Sequence, residues 1–341
     1  MRPSPFLSSS TRISDLGTEE FQVEALPRDR WRTGDYVVVE CGPGSGVLEL
    51  PDGRLVTLEP GDEMVGVLGH RRATLEASGS WEEVGPDGGM ELLTGGGLLG
   101  RCTSRSPWIP ALQTARYLGH AGRCGVPLRM SHFIRDPDLS GDPDPGHPVV
   151  LITGTSMSCG KTATARSVIR RLSRLGFRVV AAKLTGAARF RDIRTMADAG
   201  AVAVFDFVDA GLPSTICSPE ALHRALHVVL ARVAATPADV AVLEVGASPH
   251  EPYQGAAAIQ AVRQRVRLSI LSASDAYGVV GFLDRMELPV DLVTGVAANT
   301  SAGEDLVRRL TGVPSLNTHD PARMPELDSL LRDRFGGGAE W

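Results

Sequence analysis

The hydrophobic pattern of the chain changes near residue 147. Between Asp35 and about residue 105, short apolar runs alternate with turn signals, and Asp52-Gly53 is a strong hairpin signal. This spacing predicts a small all-β barrel or sandwich. We expect a lead-in at 1–32, this β domain at 33–105, a linker region at 106–147 and a nucleotide-binding domain at 148–341. The predicted strands are 21–25, 36–40, 47–50, 55–58, 64–68, 73–76 and 91–93.

The region 106–147 has no regular pattern beyond a possible short helix at 110–118. Residues 135–146 are rich in proline and aspartate, which is typical of a linker. Nothing before residue 148 carries a catalytic pattern, so a dimerisation or substrate-covering role is favoured there. Four aspartates of the linker could be interpreted as metal ligands, but a solvated linker is favoured because prolines separate them: Asp136, Asp138, Asp142 and Asp144.

After residue 148, apolar strands alternate with amphipathic helices. Val149–Ile152 has the β-branched composition of a buried strand, and the helix at 161–175 ends before Gly176. This alternation predicts an α/β domain, a mostly parallel sheet with flanking helices. Ligands of such sheets bind beyond the carboxyl ends of the strands. Further strands are predicted at 177–182, 202–205, 240–243, 268–271 and 290–293, and further helices at 219–233, 255–264, 276–286 and 302–310.

The first of these strands leads into a glycine-flanked loop and then a Lys-Thr pair. Strand, loop, Lys-Thr and helix is the P-loop order, in which backbone N–H groups hold phosphates. Lys161 would reach the β- and γ-phosphates, and the Thr162 hydroxyl would hold Mg²⁺. Five residues separate the two glycines, one more than in the common pattern. The predicted nucleotide-binding residues are Gly154, Thr155, Ser156, Met157, Ser158, Cys159, Gly160, Lys161, Thr162 and Ala163.

Charged residues follow the neighbouring strands at the points where each one ends. Lys183 could neutralise a transferring phosphoryl group or bind an anionic substrate, and we predict it to be catalytic together with Lys161. Glu244 follows an apolar strand and is predicted to bind Mg²⁺. The second carboxylate for the metal is left open between Asp206, which is preferred, and two others: Asp209 and Asp192.

Other strand-end residues suggest contacts to the base and to the substrate. Asn299 can pair with an adenine edge because its amide both donates and accepts hydrogen bonds. No guanine-specific Asn-Lys-x-Asp motif is present, so ATP is favoured over GTP. His250 could act as a base, with a plain loop histidine equally favoured. The predicted substrate contacts are Lys183, Thr185, Gly186, Ser248 and His250.

Composition narrows the possible partners. The 341 residues are 43% hydrophobic and 22% charged, with a net charge of −5, which does not favour nucleic-acid binding. No apolar run is long enough to span a membrane, and no signal-peptide core is present near residue 1. The five cysteines lack paired spacing, which fits a reducing cytoplasm. We expect a cytoplasmic protein with a small-molecule substrate, forming a homodimer.

Four motifs in order resemble the dethiobiotin synthetase and cobyrinic acid synthetase superfamily. The loop Gly154–Thr162 is similar to its Gly-Thr-x-x-x-x-Gly-Lys-Thr, and Lys183–Gly186 to its Lys-Pro-Val-x-x-Gly segment. Glu244–Ala247 resembles its Glu-Gly-Ala-Gly, and Ala298-Asn299 its adenine-binding Ala-Asn. The resemblance covers 148 to about 316 and implies Mg²⁺ at Glu244 and carbamate or phosphate contact at Lys183.

The chain departs from that pattern, because Leu184 replaces the proline and Val245 the first glycine. The segment Ala247–Tyr253 also resembles a Gln-Gly-Ser-x-x-His-Pro-Ala-Tyr segment of P-loop proteins linked to D-glutamate N-acetylation. The leading hypothesis is an ATP- and Mg²⁺-dependent ligase that activates a small carboxylate, carbamate or hydroxyl by γ-phosphoryl transfer. The alternatives are a kinase, an acyl-CoA-dependent N-acyltransferase and a nucleotide-switched ATPase.

Overall fold

The computed structural model describes residues 4–134 and 143–336. The chain divides into two compact units. The first contains the described residues before position 135 together with Ala187–Arg191 and Phe207–Ser218, and the second contains the rest. Asp136, Asp138 and Asp142 lie outside the described residues. Asp144 forms an ion pair with Arg265 at 2.7 Å.

The first unit is built mainly on an antiparallel sheet. Its central strands are buried on both faces because they are short apolar runs rather than alternating ones. Its strands are β1 (Phe6–Leu7), β2 (Gln22–Glu24), β3 (Tyr36–Cys41), β4 (Val47–Glu49), β5 (Leu55–Thr57), β6 (Glu63–Leu68), β7 (His70–Arg72), β8 (Ala77–Ser80), β9 (Gly89–Thr94), β10 (Leu98–Arg105), β11 (Thr114–Arg123) and β12 (Val126–Pro127).

The sheet runs in the order β1-β6-β3-β11-β9-β10-β8-β7, and β6 also pairs with β10. A separate hairpin joins β4 to β5, and Gly53 at its turn has a φ of 90°. The hairpin predicted from Asp52-Gly53 is therefore confirmed. The choice between a barrel and a sandwich stays a prediction. A buried cluster that includes Trp31, Val39 and Met64 forms the core of this unit.

Two local predictions in this unit were wrong. The predicted helix at 110–118 is replaced by β11, whose residues pair with β2, β3 and β9. A long strand with partners on both edges overrides weak local propensity, so the region 106–147 is not simply a linker. The predicted strand at 73–76 is the turn between β7 and β8, where Ala73 accepts a hydrogen bond from Glu76 N at 3.2 Å.

The second unit has a parallel sheet with flanking helices, as predicted. The sheet order is β15-β14-β16-β13-β17-β18, which places the strand before the loop in the middle. None of the described helices is both long and apolar enough to cross a membrane. The elements are β13 (Val149–Gly154), α1 (Lys161–Arg174), β14 (Val179–Thr185), α2 (Phe190–Asp198), β15 (Ala203–Asp206), α3 (Pro219–Ala235), β16 (Val240–Val245), α4 (Gly255–Val262), β17 (Val266–Ser272), α5 (Ala276–Arg285), β18 (Leu292–Thr294), α6 (Ser301–Thr311) and α7 (Met324–Phe335).

Candidate functional site

The loop between β13 and α1 turns tightly back on itself. Gly160 has a φ of 107° and Ser158 a φ of 62°, both in the left-handed region. A Cβ added at Gly154 would lie 2.6 Å from Cys159 Sγ, so this position has no room for a side chain. Helix α1 then begins at Lys161. This is the strand–loop–helix order of a P-loop.

Hydrogen bonds fix the loop against the segment that follows β17. Ser156 Oγ lies 2.8 Å from Ser274 Oγ, and Thr155 Oγ1 accepts from the Ser274 N–H at 3.1 Å. Lys161 Nζ donates to the Ser156 carbonyl at 2.6 Å, which curls the lysine over its own loop. Met157 lies in this loop, and Ala163 in the first turn of α1.

A threonine hydroxyl and a buried carboxylate meet at the start of α1. Thr162 Oγ1 donates to Glu244 Oε1 at 3.3 Å. Glu244 is the second-last residue of β16, the strand next to β13, and it is 2% exposed. Its other oxygen, Oε2, is buried without a hydrogen-bond partner among the described residues. A buried carboxylate oxygen left unpaired is costly, so a ligand at this point would be stabilising.

Charged residues form a row across the carboxyl edge of the sheet. Lys183 on β14 is in register with Glu244 on β16 and with Asp206 on β15. Lys183 Nζ also forms a partly buried ion pair with Asp192 of α2. The structure therefore brings residues of three strands and one helix together: Lys183, Asp192, Asp206 and Glu244.

The electrostatics of this row are coupled. Burial raises the pKa of Glu244, with a further increase from Asp192, and these effects outweigh the attraction of Lys183 and Lys161. Burial alone would lower the pKa of Lys183, but the carboxylates of Asp192, Glu244 and Asp206 outweigh it and raise that pKa. These charged residues favour the protonated, charged form of Lys183, whereas burial disfavours the ionised form of Glu244. A cation bound beside Glu244 would stabilise its ionised form.

The oxygen atoms of Thr162 and Glu244 are chemically suited to bind magnesium. The Thr162 hydroxyl and the unpartnered Glu244 oxygen are hard ligands of the kind that Mg²⁺ prefers, with phosphates and waters completing its shell. Among the described residues, no group of three histidine, cysteine, aspartate or glutamate side chains could hold a metal. Asp206 and Glu244 lie two strand spacings apart, about 10 Å, with Lys183 between them.

The predicted substrate residues take different positions. Thr185 Oγ1 donates to the Gly246 carbonyl at 3.0 Å, and a Cβ at Gly246 would clash with the Thr185 carbonyl at 2.1 Å. Gly186 follows directly with a φ of 132°. The N–H of Ser248 donates to Glu251 Oε2 at 2.7 Å, whereas the side chain of His250 is exposed.

The predicted adenine contact lies in a loop that packs against the phosphate loop. A Cβ at Gly295 would stand 2.2 Å from the Cys159 carbonyl, and the Val296 N–H donates to that carbonyl at 3.4 Å. Asn299 follows one short turn later and is exposed, and its carbonyl accepts from Asn317 Nδ2 at 3.1 Å. The asparagine therefore belongs to the segment beside the loop, with its side chain available for a base.

The alternative metal ligand Asp209 lies in the first unit, where it pairs with Arg12 at 3.1 Å. The other alternative, Asp192, is the partner of Lys183, which spacing alone did not indicate. The composition carries a further signal for this site. Lys161 and Lys183 are the only lysines in the sequence, which otherwise uses arginine for its cations. A lysine is a compact point charge, whereas arginine presents a planar fork, so the two types are not interchangeable at a phosphate.

No protein-family model and no curated protein matches the sequence. Several solved structures match part of the chain at low identity. Signal recognition particle receptor FtsY from Elizabethkingia anophelis matches with a TM-score of 0.37 and 14% identity, over 55% of this chain and 62% of that one. HypB from Helicobacter pylori, solved in complex with nickel, matches with a TM-score of 0.35 and 15% identity, over 58% of this chain and 93% of that one. A ParA family ATPase from Chlorobium tepidum matches with a TM-score of 0.32 and 14% identity, over 55% of this chain and 92% of that one.

The chain thus spans less than two thirds of the FtsY structure. The chemistry of the site rests on its own geometry, and the resemblance to the dethiobiotin synthetase superfamily stays a prediction.

Proposed function

We propose that the chain binds ATP with Mg²⁺ at the loop 154–163 and cleaves the bond to the γ-phosphate. The observation that supports this most strongly is the contact of Thr162 with Glu244 Oε1 at the start of α1, together with the second Glu244 oxygen, Oε2, which has no partner among the described residues. A hydroxyl and a carboxylate at the first turn of this helix are the protein ligands that a nucleotide-bound Mg²⁺ uses.

The residues divide the work by position. The backbone N–H groups of the loop hold the phosphates, and Lys161 exchanges its contact with the Ser156 carbonyl for the β- and γ-phosphates. Bound Mg²⁺ supplies charge neutralisation at the phosphates. Thr162 and Glu244 orient it, so the rate gain comes from positioning and electrostatics rather than from a covalent intermediate.

The proposed reaction also requires a group that accepts the γ-phosphoryl group. An oxygen of the acceptor forms a bond to the γ-phosphorus while the bond to the β-phosphate oxygen breaks and releases ADP. Lys183 supports a small anionic acceptor, because it is a buried cation one strand away from Glu244 and could exchange Asp192 for a carboxylate or carbamate. With water as the acceptor, the same site would hydrolyse ATP, and the alternative hypothesis of a nucleotide-switched ATPase applies.

Product analysis separates these reactions. The protein is incubated with ATP, Mg²⁺ and a mixture of small carboxylates and amines, and products are followed by phosphorus NMR and mass spectrometry. ADP with free phosphate and a new amide or ring supports a ligase, a phosphorylated product supports a kinase, and ADP with phosphate alone supports an ATPase. Acetyl-CoA consumption without ATP would contradict the proposal in favour of an acyltransferase.

The two lysines allow a direct test of the nucleotide site. An amine-reactive reagent can label only Lys161, Lys183 and the N-terminal amine, and peptide mass spectrometry reports each separately. We expect Mg²⁺ and a non-hydrolysable ATP analogue to slow labelling of Lys161 strongly, with the N-terminal amine as the internal control. Equal labelling of Lys161 with and without nucleotide would contradict the site. GTP analogue in place of ATP analogue tests the base preference assigned to Asn299.

A further inference from the structure

A polar cavity of about 260 Å³ lies in the second unit, between α1 and the segment that precedes α7. Arginines of α1 form one side, and Thr318 and His319 form the other. We name it the α1 arginine pocket, and the residues that matter are Arg166, Arg170, Arg171, Arg174, Thr318 and His319. The phosphate loop and the charged row at Lys183 contribute none of the described residues that line it.

Three of the arginines repeat every fourth residue. Arg166, Arg170 and Arg174 therefore lie along one face of α1, and all three are exposed. None of their side chains has a hydrogen bond or an ion pair with another described residue, although the charge of Arg174 also lowers the pKa of Asp328. Like charges four residues apart destabilise a helix, so this row is unfavourable without an added counter-charge.

The nearby carboxylate is already occupied. Arg171 Nε donates to Asp328 Oδ1 at 2.6 Å and the pair joins α1 to α7. The Arg171 guanidinium holds the pKa of Asp328 below its usual range, against the opposing effect of burial. No aspartate or glutamate is among the described residues that line the cavity. The pocket is thus a partly open cavity with excess positive charge.

Thr318, which lines the cavity, carries an unpaired hydroxyl. The residue is 3% exposed, and its hydroxyl Oγ1 is buried with no hydrogen-bond partner among the described residues. Its carbonyl accepts from Ser167 Oγ at 3.1 Å, so the segment is held in place while the hydroxyl stays unpaired. A buried unpaired hydroxyl is costly, and a rotation of the side chain that brought it to an acceptor oxygen in the cavity would remove that cost.

We propose that the α1 arginine pocket binds a small ligand that carries two or more phosphate groups. Arginine recognises phosphate through paired N–H groups and keeps its charge at all physiological pH values. Eight residues of helix separate Arg166 from Arg174, about 12 Å along the axis, which is more than one phosphate group spans. The cavity is too small for a folded partner, and the net charge of −5 does not favour nucleic acid.

The test uses inorganic tripolyphosphate as the probe, without divalent metal and at constant ionic strength. Because the phosphate loop also binds this probe, titration calorimetry is carried out in a Lys161→Ala background. The pocket variant is Arg166→Gln/Arg170→Gln/Arg174→Gln. The charge-matched control is Arg224→Gln/Arg285→Gln/Arg309→Gln, which removes three exposed arginines of α3, α5 and α6.

We expect at least tenfold weaker tripolyphosphate binding in the pocket variant and an unchanged affinity in the control. Equal affinities in the two variants, or no binding in the Lys161→Ala protein, would overturn the proposal. If that background fails to fold, the parent protein serves, and the pocket variant must lose one of two binding events. Binding of Mg²⁺ and nucleotide at the phosphate loop is scored separately, so failure here leaves the proposed function intact.

Two further arms identify the source of the phosphate. Orthophosphate should bind at least tenfold more weakly than tripolyphosphate, because it contacts fewer arginines. A single-stranded RNA oligonucleotide should compete no better at equal phosphate concentration, and tighter RNA binding that needs the same three arginines would overturn the small-ligand assignment. Thr318→Val should weaken tripolyphosphate binding severalfold without lowering the thermal midpoint, since its hydroxyl has no protein partner. A lower midpoint with unchanged binding would assign that hydroxyl a structural role.

Discussion

Each unit of the protein buries a charged cluster, and the two clusters differ in how fully they are paired. In the first unit, Asp35 is fully buried and accepts hydrogen bonds from the Arg32 N–H at 2.7 Å, from His120 Nε2 at 3.2 Å and from Arg129 Nε. His120 in turn contacts the Tyr117 hydroxyl at 2.5 Å. Both carboxylate oxygens are satisfied, as a structural cluster requires.

In the second unit, the carboxylate of Glu244 is as deeply buried but only half satisfied. One oxygen accepts from Thr162 and the other has no partner among the described residues. The carboxylate is therefore fully paired in the first unit and half paired in the second. Complete pairing is what a structural ion cluster requires, and the unpaired oxygen of Glu244 is the feature on which the proposed Mg²⁺ site rests.

The strongest test of this comparison breaks the satisfied cluster. Asp35→Ala leaves Arg129 and His120 without their acceptor, and removing one member of a buried pair costs about 3–5 kcal/mol. Urea unfolding should show this loss, whereas Asp35→Asn should retain part of the stability because its amide oxygen still accepts. An Asp35→Ala protein as stable as the parent would mean that pairing at Asp35 contributes nothing.

A smaller effect is expected at the phosphate loop. Lys161→Ala removes one charge-assisted contact to phosphate, worth about 1.5–3 kcal/mol, so ATP affinity should fall roughly 10- to 150-fold. Titration calorimetry with Mg²⁺ measures the affinity, and denaturant unfolding without nucleotide serves as the control. We expect a smaller change in unfolding than for Asp35→Ala, since the hydrogen bonds of the Lys161 side chain go to Ser156 and Cys159 of its own loop and only its attraction to Glu244 reaches beyond it.

Glu244→Gln sharpens the comparison through pH. The pKa of Glu244 is raised in the folded state, so its contribution to stability is fully present below the unfolded value near 4.5 and is lost as pH rises through the folded pKa. The parent should therefore lose stability relative to Glu244→Gln as pH rises above 4.5. Mg²⁺ dependence of nucleotide binding should weaken at least about tenfold in the variant. A stability difference that does not vary with pH would contradict the raised pKa.

The smallest effect is expected at an exposed ion pair of the first unit. Arg116 Nη2 lies 3.3 Å from Glu40 Oε2, and the two side chains are 60% and 42% exposed. Because solvent screens such pairs, Arg116→Gln should change the free energy of unfolding by less than about 0.5 kcal/mol. This variant is the control for Asp35→Ala in the same unit, and a loss comparable to that variant would show that burial does not set the scale.

The accuracy of the sequence predictions follows how local the signal is. The loop at 154–163 and the parallel sheet were predictable because glycines, Lys-Thr and apolar strands stand next to each other in the chain. Strand β11 was missed because its stability comes from partners as far away as Tyr36–Cys41, which no local pattern reports. The ion pair of Lys183 with Asp192 was likewise missed, since α2 was not predicted at all.

The sequence alone indicated that a glycine-flanked turn with a Lys-Thr pair follows an apolar strand, and that Lys161 and Lys183 are the only lysines in a chain that otherwise uses arginine. The tertiary structure decided which side chains surround that turn. The strand order places β16 beside β13, and the register sets Lys183 next to Glu244 and Asp206. Turns depend on neighbouring residues, whereas strand order and register depend on packing of the whole sheet. For that reason the open oxygen of Glu244 and the unpaired hydroxyl of Thr318 became visible only in the folded chain.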